Sequence, residues 1–344
     1  MRAIVLGLFA AAVSLAPDAR AYTPESGLWA NVNEPGSGMS IEIQDNLLGL
    51  TLYAGDAFGR PIFYTSAGLL TGNALYQGRL IRYDNIQCIG CPPAGGPLEY
   101  DDVGQVTIAF DPNDNTRATL TWPNGRQIPI QRFEFYYKRP EDPASIPAQA
   151  TKMLGEWQVS IDLADYPGST YPFSGDVLVL DDYEWSNQSS SWLYTGCRPD
   201  DAQVGGCSNF ALANHAAAGF FEAPTGWQVI VVWDGVYDGQ PWNVLYEFKI
   251  GTESGSGWFT LYRDGTPPEN YDAYPARAWR SASRTFVQEG EGPSKAASTR
   301  QPQGLGRVLL AADVPVPKAR STRPETAARA DIIRALEAQL RGKR

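Results

Sequence analysis

Apolar and polar residues alternate one by one along much of the chain. Met39, Ile41 and Ile43 fall on one face and Ser40, Glu42 and Gln44 on the other. Leu48, Leu50 and Leu52 alternate with Gly49, Thr51 and Tyr53, and Val106, Ile108 and Phe110 with Gln105, Thr107 and Ala109. Ala118, Leu120 and Trp122 alternate with Arg117, Thr119 and Thr121. A period of two marks a half-buried strand. With further runs at 27–33, 61–67, 74–83 and 126–133, the pattern predicts about eight strands between residues 27 and 135. Turn residues stand between them, among them Asp45-Asn46, Thr71-Gly72-Asn73 and Asn124-Gly125. Short turns describe an antiparallel meander. It either closes into a barrel, which removes exposed edges, or splits into a two-sheet sandwich.

A second stretch repeats the texture, with strands expected at 154–163, 173–181, 191–196, 226–234, 241–250, 256–263 and 274–280. It opens Gly155-Glu156-Trp157 as the first opens Gly27-Leu28-Trp29, a hint of a diverged repeat. Between the two, residues 138–151 hold Pro140, Pro143 and Pro147 without periodicity and read as a linker. Residues 287–321 are rich in Gly, Pro, Ser and Ala and read as flexible. From Thr322 a helical pattern begins, with Ile332, Ile333, Leu336 and Leu340 in one stripe. The expectation is an all-β protein of two antiparallel barrel or sandwich domains, 22–137 and 152–286. A basic amphipathic helix or tail follows at 322–344.

The first residues change the picture of where this happens. Met1-Arg2, an apolar run from Ala3 to Leu15, and Ala19-Arg20-Ala21 have the layout of an export signal spanning 1–21. A secreted or periplasmic location follows as an expectation, with no transmembrane segment. Charge is uneven. Residues 22–280 carry 14 Lys and Arg against 31 Asp and Glu, and residues 281–344 carry 12 against 6. An acidic body repels nucleic acid, so no nucleic-acid partner is expected. The basic tail either folds back on that body or meets an acidic protein partner.

The four cysteines form two close pairs, Cys88 with Cys91 and Cys197 with Cys207. In an exported chain these read as loop-pinning disulfides rather than zinc ligands. A single histidine, His215, leaves little room for a Ser-His-Asp triad, and no G-x-S-x-G elbow is present. Asp111, Asn113 and Asn115 have calcium-loop spacing, but Thr116 stands where that loop needs Gly, and a turn is the simpler reading. No cofactor or metal is expected.

Ten Trp and 17 Tyr are the strongest remaining signal. Their flat apolar faces and polar tips suit sugars and mixed ligands. Tyr53, Tyr64 and Tyr76 are candidates for a barrel mouth, with Glu42 pointing inward and Arg79 as its partner. Tyr183, Trp185, Trp192 and Tyr194 are candidates for a platform in the second domain. Acids of that domain, including Asp176, Asp181, Asp182, Glu184, Asp234 and Asp238, are the only material for a glycosidase-like pair.

Several motifs of the first stretch occur together: Glu34-Pro-Gly-Ser-Gly38, Ser40-Ile-Glu-Ile-Gln44, Gly59-Arg-Pro-Ile-Phe-Tyr64 and Gln87-Cys-Ile-Gly-Cys-Pro92. With the G-x-W opening, residues 27–135 resemble a recurrent β module of secreted bacterial proteins that has no assigned activity. The resemblance implies export and β architecture and transfers no catalytic residue. The G-x-W opening is also similar to that of lipocalin-like and avidin-like barrels, as an analogy of fold. The sequence thus points to a non-enzymatic module that binds a carbohydrate or a small apolar ligand, or serves a structural role at the cell envelope. The rivals are a hydrolase using acids of the second domain and an assembly or adhesion component using the C-terminal helix.

Overall fold

The computed structural model describes residues 23–84, 89–92, 99–112, 114–135, 138–166, 171–198, 207, 216–223, 225–289 and 327–342. The signal-like segment, Cys88, His215 and Thr322 lie outside the described residues. The chain forms two compact units, divided between Phe133 and Glu134.

The first unit is a closed antiparallel barrel, not a sandwich. Its strands are β1 (Gly27–Ala30), β2 (Gly38–Gln44), β3 (Leu47–Gly55), β4 (Pro61–Thr71), β5 (Leu75–Asp84), β6 (Glu99–Asp111), β7 (Asp114–Thr121) and β8 (Gln127–Arg132). Each pairs with the next, and β1 closes on β8 through Trp29 opposite Arg132. The alternation read from the sequence sets the inner face. Trp29, Ile41, Leu48, Leu50, Leu80, Val106, Ile108 and Leu120 are buried there in one cluster. At roughly 25 cal/mol per Å² of apolar surface removed from water, such a filled lumen dominates the unit's stability.

The second unit is a closed barrel of the same up-and-down topology. Its strands are β9 (Gly155–Asp162), β10 (Phe173–Ser186), β11 (Ser191–Cys197), β12 (Ala216–Glu222), β13 (Trp227–Tyr237), β14 (Gln240–Ile250), β15 (Ser254–Arg263) and β16 (Tyr274–Ser283). The sequence pattern contains seven of them. β12, with Ala-Ala-Ala-Gly-Phe-Phe-Glu, does not alternate because six of its seven residues are buried, on both faces of the strand. The lumen holds Trp157, Leu178, Leu180, Val232, Val244, Tyr246, Phe248 and Phe259.

The proline-rich stretch before β9 belongs to this unit. It carries a short helix, α1 (Ala148–Lys152), and buries Ile146, Ala150, Met153 and Leu154 in the same cluster as the lumen residues. After β16 comes α2 (Arg284–Glu289), whose Arg284 donates to both carboxylate oxygens of Asp142 at 2.7 and 2.8 Å. The terminal helix α3 (Ala327–Gly342) lies against the barrel exterior. Ile333, Leu336 and Leu340 pack there with Ala216, Ala218, Phe220, Val229, Val231 and Tyr262. Arg329 of α3 reaches both oxygens of Glu222, at 3.0 and 2.6 Å, and Glu247 at 2.8 Å. The described end of the basic tail, 327–342, therefore lies on the acidic residues of the second barrel. No helix among the described residues is long and apolar enough to cross a membrane.

Candidate functional site

The lumens are occupied by side chains, so the candidate residues sort by which way each strand turns them. In the first barrel Tyr76 is fully buried, with its hydroxyl 2.6 Å from Ser66 Oγ. Burial raises its pKa above 10.0, so the phenol stays protonated. Tyr64 also faces inward, its ring edge-on to Trp122 at 5.3 Å. Tyr53 and Glu42 face outward instead. Met39 and Ile41 take the inner positions of β2, which leaves Glu42 exposed beside Ser40, whose hydroxyl donates to it at 3.2 Å. The inward Glu42 with Arg79 as partner is thus overturned: Arg79 pairs with Asp102 at 2.6 Å.

Outside, register assembles what spacing along the chain does not show. Tyr53 of β3 lies directly opposite Phe63 of β4. Tyr64 is opposite Arg82, which sets Phe63 next to Tyr83 of β5, and the two rings stack with centroids 6.3 Å apart at 23°. Tyr83 lies opposite Tyr100 of β6. Four aromatic side chains therefore run across four neighbouring strands on the outer face. Tyr53 is 50% exposed and Tyr100 66%, while Phe63 and Tyr83 are half-buried against each other. On the next outward level stand Ser40, Thr51 and Thr65, paired in register across β2, β3 and β4. The row ends at Gly38, opposite Tyr53 on β2.

Of this row the sequence pattern singles out only Tyr53. Phe63 and Tyr83 carried one legible sign, an aromatic at the solvent-side position of a strand; Tyr100 shares the parity of inward Val106 and Ile108 and is turned out only by a bulge in β6. A separate surface depression of about 520 Å³ lies over β1, β6, β7 and β8 and is lined by Asn31, Asn33, Asp111, Arg117, Thr119 and Gln131 among others.

In the second barrel Tyr194 is buried under Phe220 and Gln228, donating to the Phe220 carbonyl at 3.3 Å and to Gln228 Oε1 at 3.1 Å. It is core, not platform. Tyr183, Trp185 and Trp192 do come together. A bulge at Asp181 shifts the parity of β10, so Tyr183 and Trp185 fall opposite Tyr194 and Trp192. Trp192 meets Tyr183 at 5.8 Å and Trp185 at 5.7 Å, both edge-on. Tyr183 donates to Asp142 at 3.1 Å and Trp192 to Ser145 at 3.1 Å, both in the stretch before β9, while Trp185 donates to Asn187 of its own hairpin turn at 3.1 Å. Only Trp185, 49% exposed, offers a face to solvent. The cluster mainly seats residues 138–154.

The acids of this barrel are engaged structurally. Arg198 binds both oxygens of Asp176 at 2.8 and 3.0 Å and Asp234 at 2.9 Å. Tyr246 donates to Asp176 at 2.6 Å and Tyr237 to Asp234 at 2.9 Å. All of Arg198, Asp176 and Asp234 are buried. Asp181 accepts from the Cys207 backbone N–H, while Asp182, Glu184 and Asp238 are exposed. Cys197 and Cys207 form a disulfide, and Cys91 is disulfide-bonded. Among the described residues no group of three or more His, Cys, Asp or Glu gathers as a metal site.

Comparison of the chain with family models, with curated proteins and with solved structures gives no match. The resemblance of residues 27–135 to an exported module therefore rests on its motifs alone.

Proposed function

We propose that this protein is an exported carbohydrate-binding module that holds its ligand on the outer face of the first barrel and does not convert it. The observation that carries the reading is the register-matched row Tyr53, Phe63, Tyr83 and Tyr100. Sugar rings present axial C–H groups on their flat faces, and these stack on exposed aromatic rings without the strong desolvation cost of a charged contact. The hydroxyls of Ser40, Thr51 and Thr65 flank the row and supply donors and acceptors for sugar hydroxyls.

Four further features support the same choice. Both lumens are packed, which favours surface binding over an enclosed apolar ligand. Asp176 and Asp234, the buried acids of the second barrel, share one guanidinium away from solvent and are poorly placed to act as an acid and base on a glycan. The Cys197–Cys207 disulfide fits an oxidising compartment. Helix α3, seated on its own barrel, fits a structural role better than capture of a separate protein.

Affinity electrophoresis of the full chain through gels containing soluble polysaccharides tests the proposal. Retardation by at least one neutral glycan, lost in a Tyr53→Ala/Tyr100→Ala variant and without release of sugar products, is the expected result. Unchanged mobility in every glycan, or steady product release, overturns it.

A further inference from the structure

We propose that the row takes the side of a linear, neutral chain of equatorially linked hexopyranoses, laid across the strands, and not a single sugar or a chain end. The inference rests on the carbohydrate reading above and adds the shape and charge of the ligand.

Shape follows from the register. Tyr53, Phe63, Tyr83 and Tyr100 sit on consecutive strands. Neighbouring strands are about 4.8 Å apart, so the row spans about 14 Å from first to last. A ribbon of equatorially linked pyranoses advances by a similar step per ring and stays flat, so successive rings meet successive side chains. An axially linked chain curves away after two. Among the described residues no side chain closes the Tyr53 end of the platform. Its outermost members, Tyr53 and Tyr100, are its most exposed, and beyond Tyr53 the next strand presents Gly38, which has no side chain. A chain can therefore run on past Tyr53 over Gly38, and Tyr100 stays open to it, whereas a site for a chain terminus needs a closed pocket.

Charge sets the second condition. The described basic side chains beside the row on the outer face are matched by acids: Arg79 by Asp102, and Arg60 by Asp56. The strip they border is nearly neutral, on a body with a large excess of acid over base. An anionic polymer would meet no unmatched base among the described residues here and would be repelled at longer range. A neutral polymer meets apolar rings bordered by hydroxyls.

The test uses the full chain in isothermal titration with cello-oligosaccharides of two to six rings. Malto-oligosaccharides and oligogalacturonates of the same lengths are the comparison. Affinity is expected to rise by about tenfold or more between two and four rings and then to level off, as the four stacking positions fill. Tyr100→Ala and Tyr53→Ala, both at exposed positions, should each lower hexaose affinity several-fold and shorten the length at which the rise stops. Near-ultraviolet circular dichroism checks that each variant remains folded. Equal affinity for two and six rings, or a preference for the malto or galacturonate series, overturns the extended-chain inference while leaving carbohydrate binding in place. Binding of none of the three series in titration, with gel retardation by another glycan, also overturns the inference alone. Silence in both assays removes the functional reading itself.

Discussion

The guanidinium of Arg280 lies 4.3 Å from the ring centroid of Trp157, so the last strand of the second barrel clasps the first. Its two terminal nitrogens donate to the carbonyls of Leu154 at 2.7 Å and Lys152 at 2.6 Å, and Trp157 Nε1 donates to the Met153 carbonyl at 2.8 Å. The first barrel repeats the device. Trp29 Nε1 donates to the carbonyl of Glu25, again four residues back, at 3.0 Å, and Arg132 of β8 donates to the carbonyls of Ser26 and Leu28. The glycine two residues before each tryptophan has positive φ, 121° at Gly27 and 138° at Gly155. A Cβ at Gly155 would stand 2.6 Å from the Ala282 carbonyl oxygen. The G-x-W triplet is thus a closure element in both barrels: glycine leaves room for the last strand and its arginine, and in the second barrel the tryptophan also gives that arginine a surface. This shared arrangement supports descent of the two barrels from one repeated unit.

Arg280→Ala should lower the stability of the second barrel by about 3 kcal/mol, because it strips two carbonyls of a charged donor and uncovers an indole. Arg280→Lys should recover less than half of that, since a single ammonium neither bridges both carbonyls in one plane nor covers the ring as well. Urea midpoints of the two variants check this. Equal midpoints for Arg280→Lys and the parent would refute it.

Replacing Arg329 should release helix α3. Arg329→Met leaves Glu222 and Glu247 facing each other with their principal counter-ion removed, which typically costs about 3–5 kcal/mol. Hydrogen exchange should show loss of protection over 327–342 with β9–β16 still protected. Retained protection would show that Ile333, Leu336 and Leu340 suffice to hold the helix.

Acid should loosen the segment that covers the second barrel. Arg284, hydrogen-bonded to Asp142, holds that carboxyl below its ordinary value of 3.8. The folded value lies below the unfolded one, so this contribution is complete above pH 3.8. It disappears as pH falls through the lower folded value. In Asp142→Asn the urea midpoint should be lower at pH 6 and should fall less steeply between pH 4 and 2. Parallel acid limbs in variant and parent would contradict the assignment.

The Arg198 network should show strong coupling. Arg198→Met alone leaves two buried carboxylates without their guanidinium and should cost about 3–5 kcal/mol. Adding Asp176→Asn and Asp234→Asn should return a large part of that loss, because the uncompensated charges are gone. Thermal unfolding of the single and triple variants measures the difference.

What the sequence revealed follows from how many faces each strand buries. Where one face meets solvent, as in β2 and β3, a period of two marked strand and inner face together. β12 is covered inside by the lumen and outside by α3, and the period vanished. Parity failed locally where a bulge intervened: Asp181 turned Tyr183 and Trp185 to the side of Trp192. The aromatic row was legible only in part. Tyr53, Phe63 and Tyr83 occupy ordinary outward positions, a bulge in β6 turns Tyr100 out, and nothing along the chain states that positions 53, 63, 83 and 100 stand shoulder to shoulder. That alignment is a property of strand pairing, which local pattern does not encode.

Helix α3 gives the order of synthesis a physical meaning. Phe220, Val229, Val231 and Tyr262 leave the ribosome well before Ile333, Leu336 and Leu340, the side chains that shield them. A chain that ends at residue 326 would carry a barrel with a bare oily flank. Emergence of 327–342 seals that flank from within the same molecule, and a chain released early is left adhesive to its neighbours.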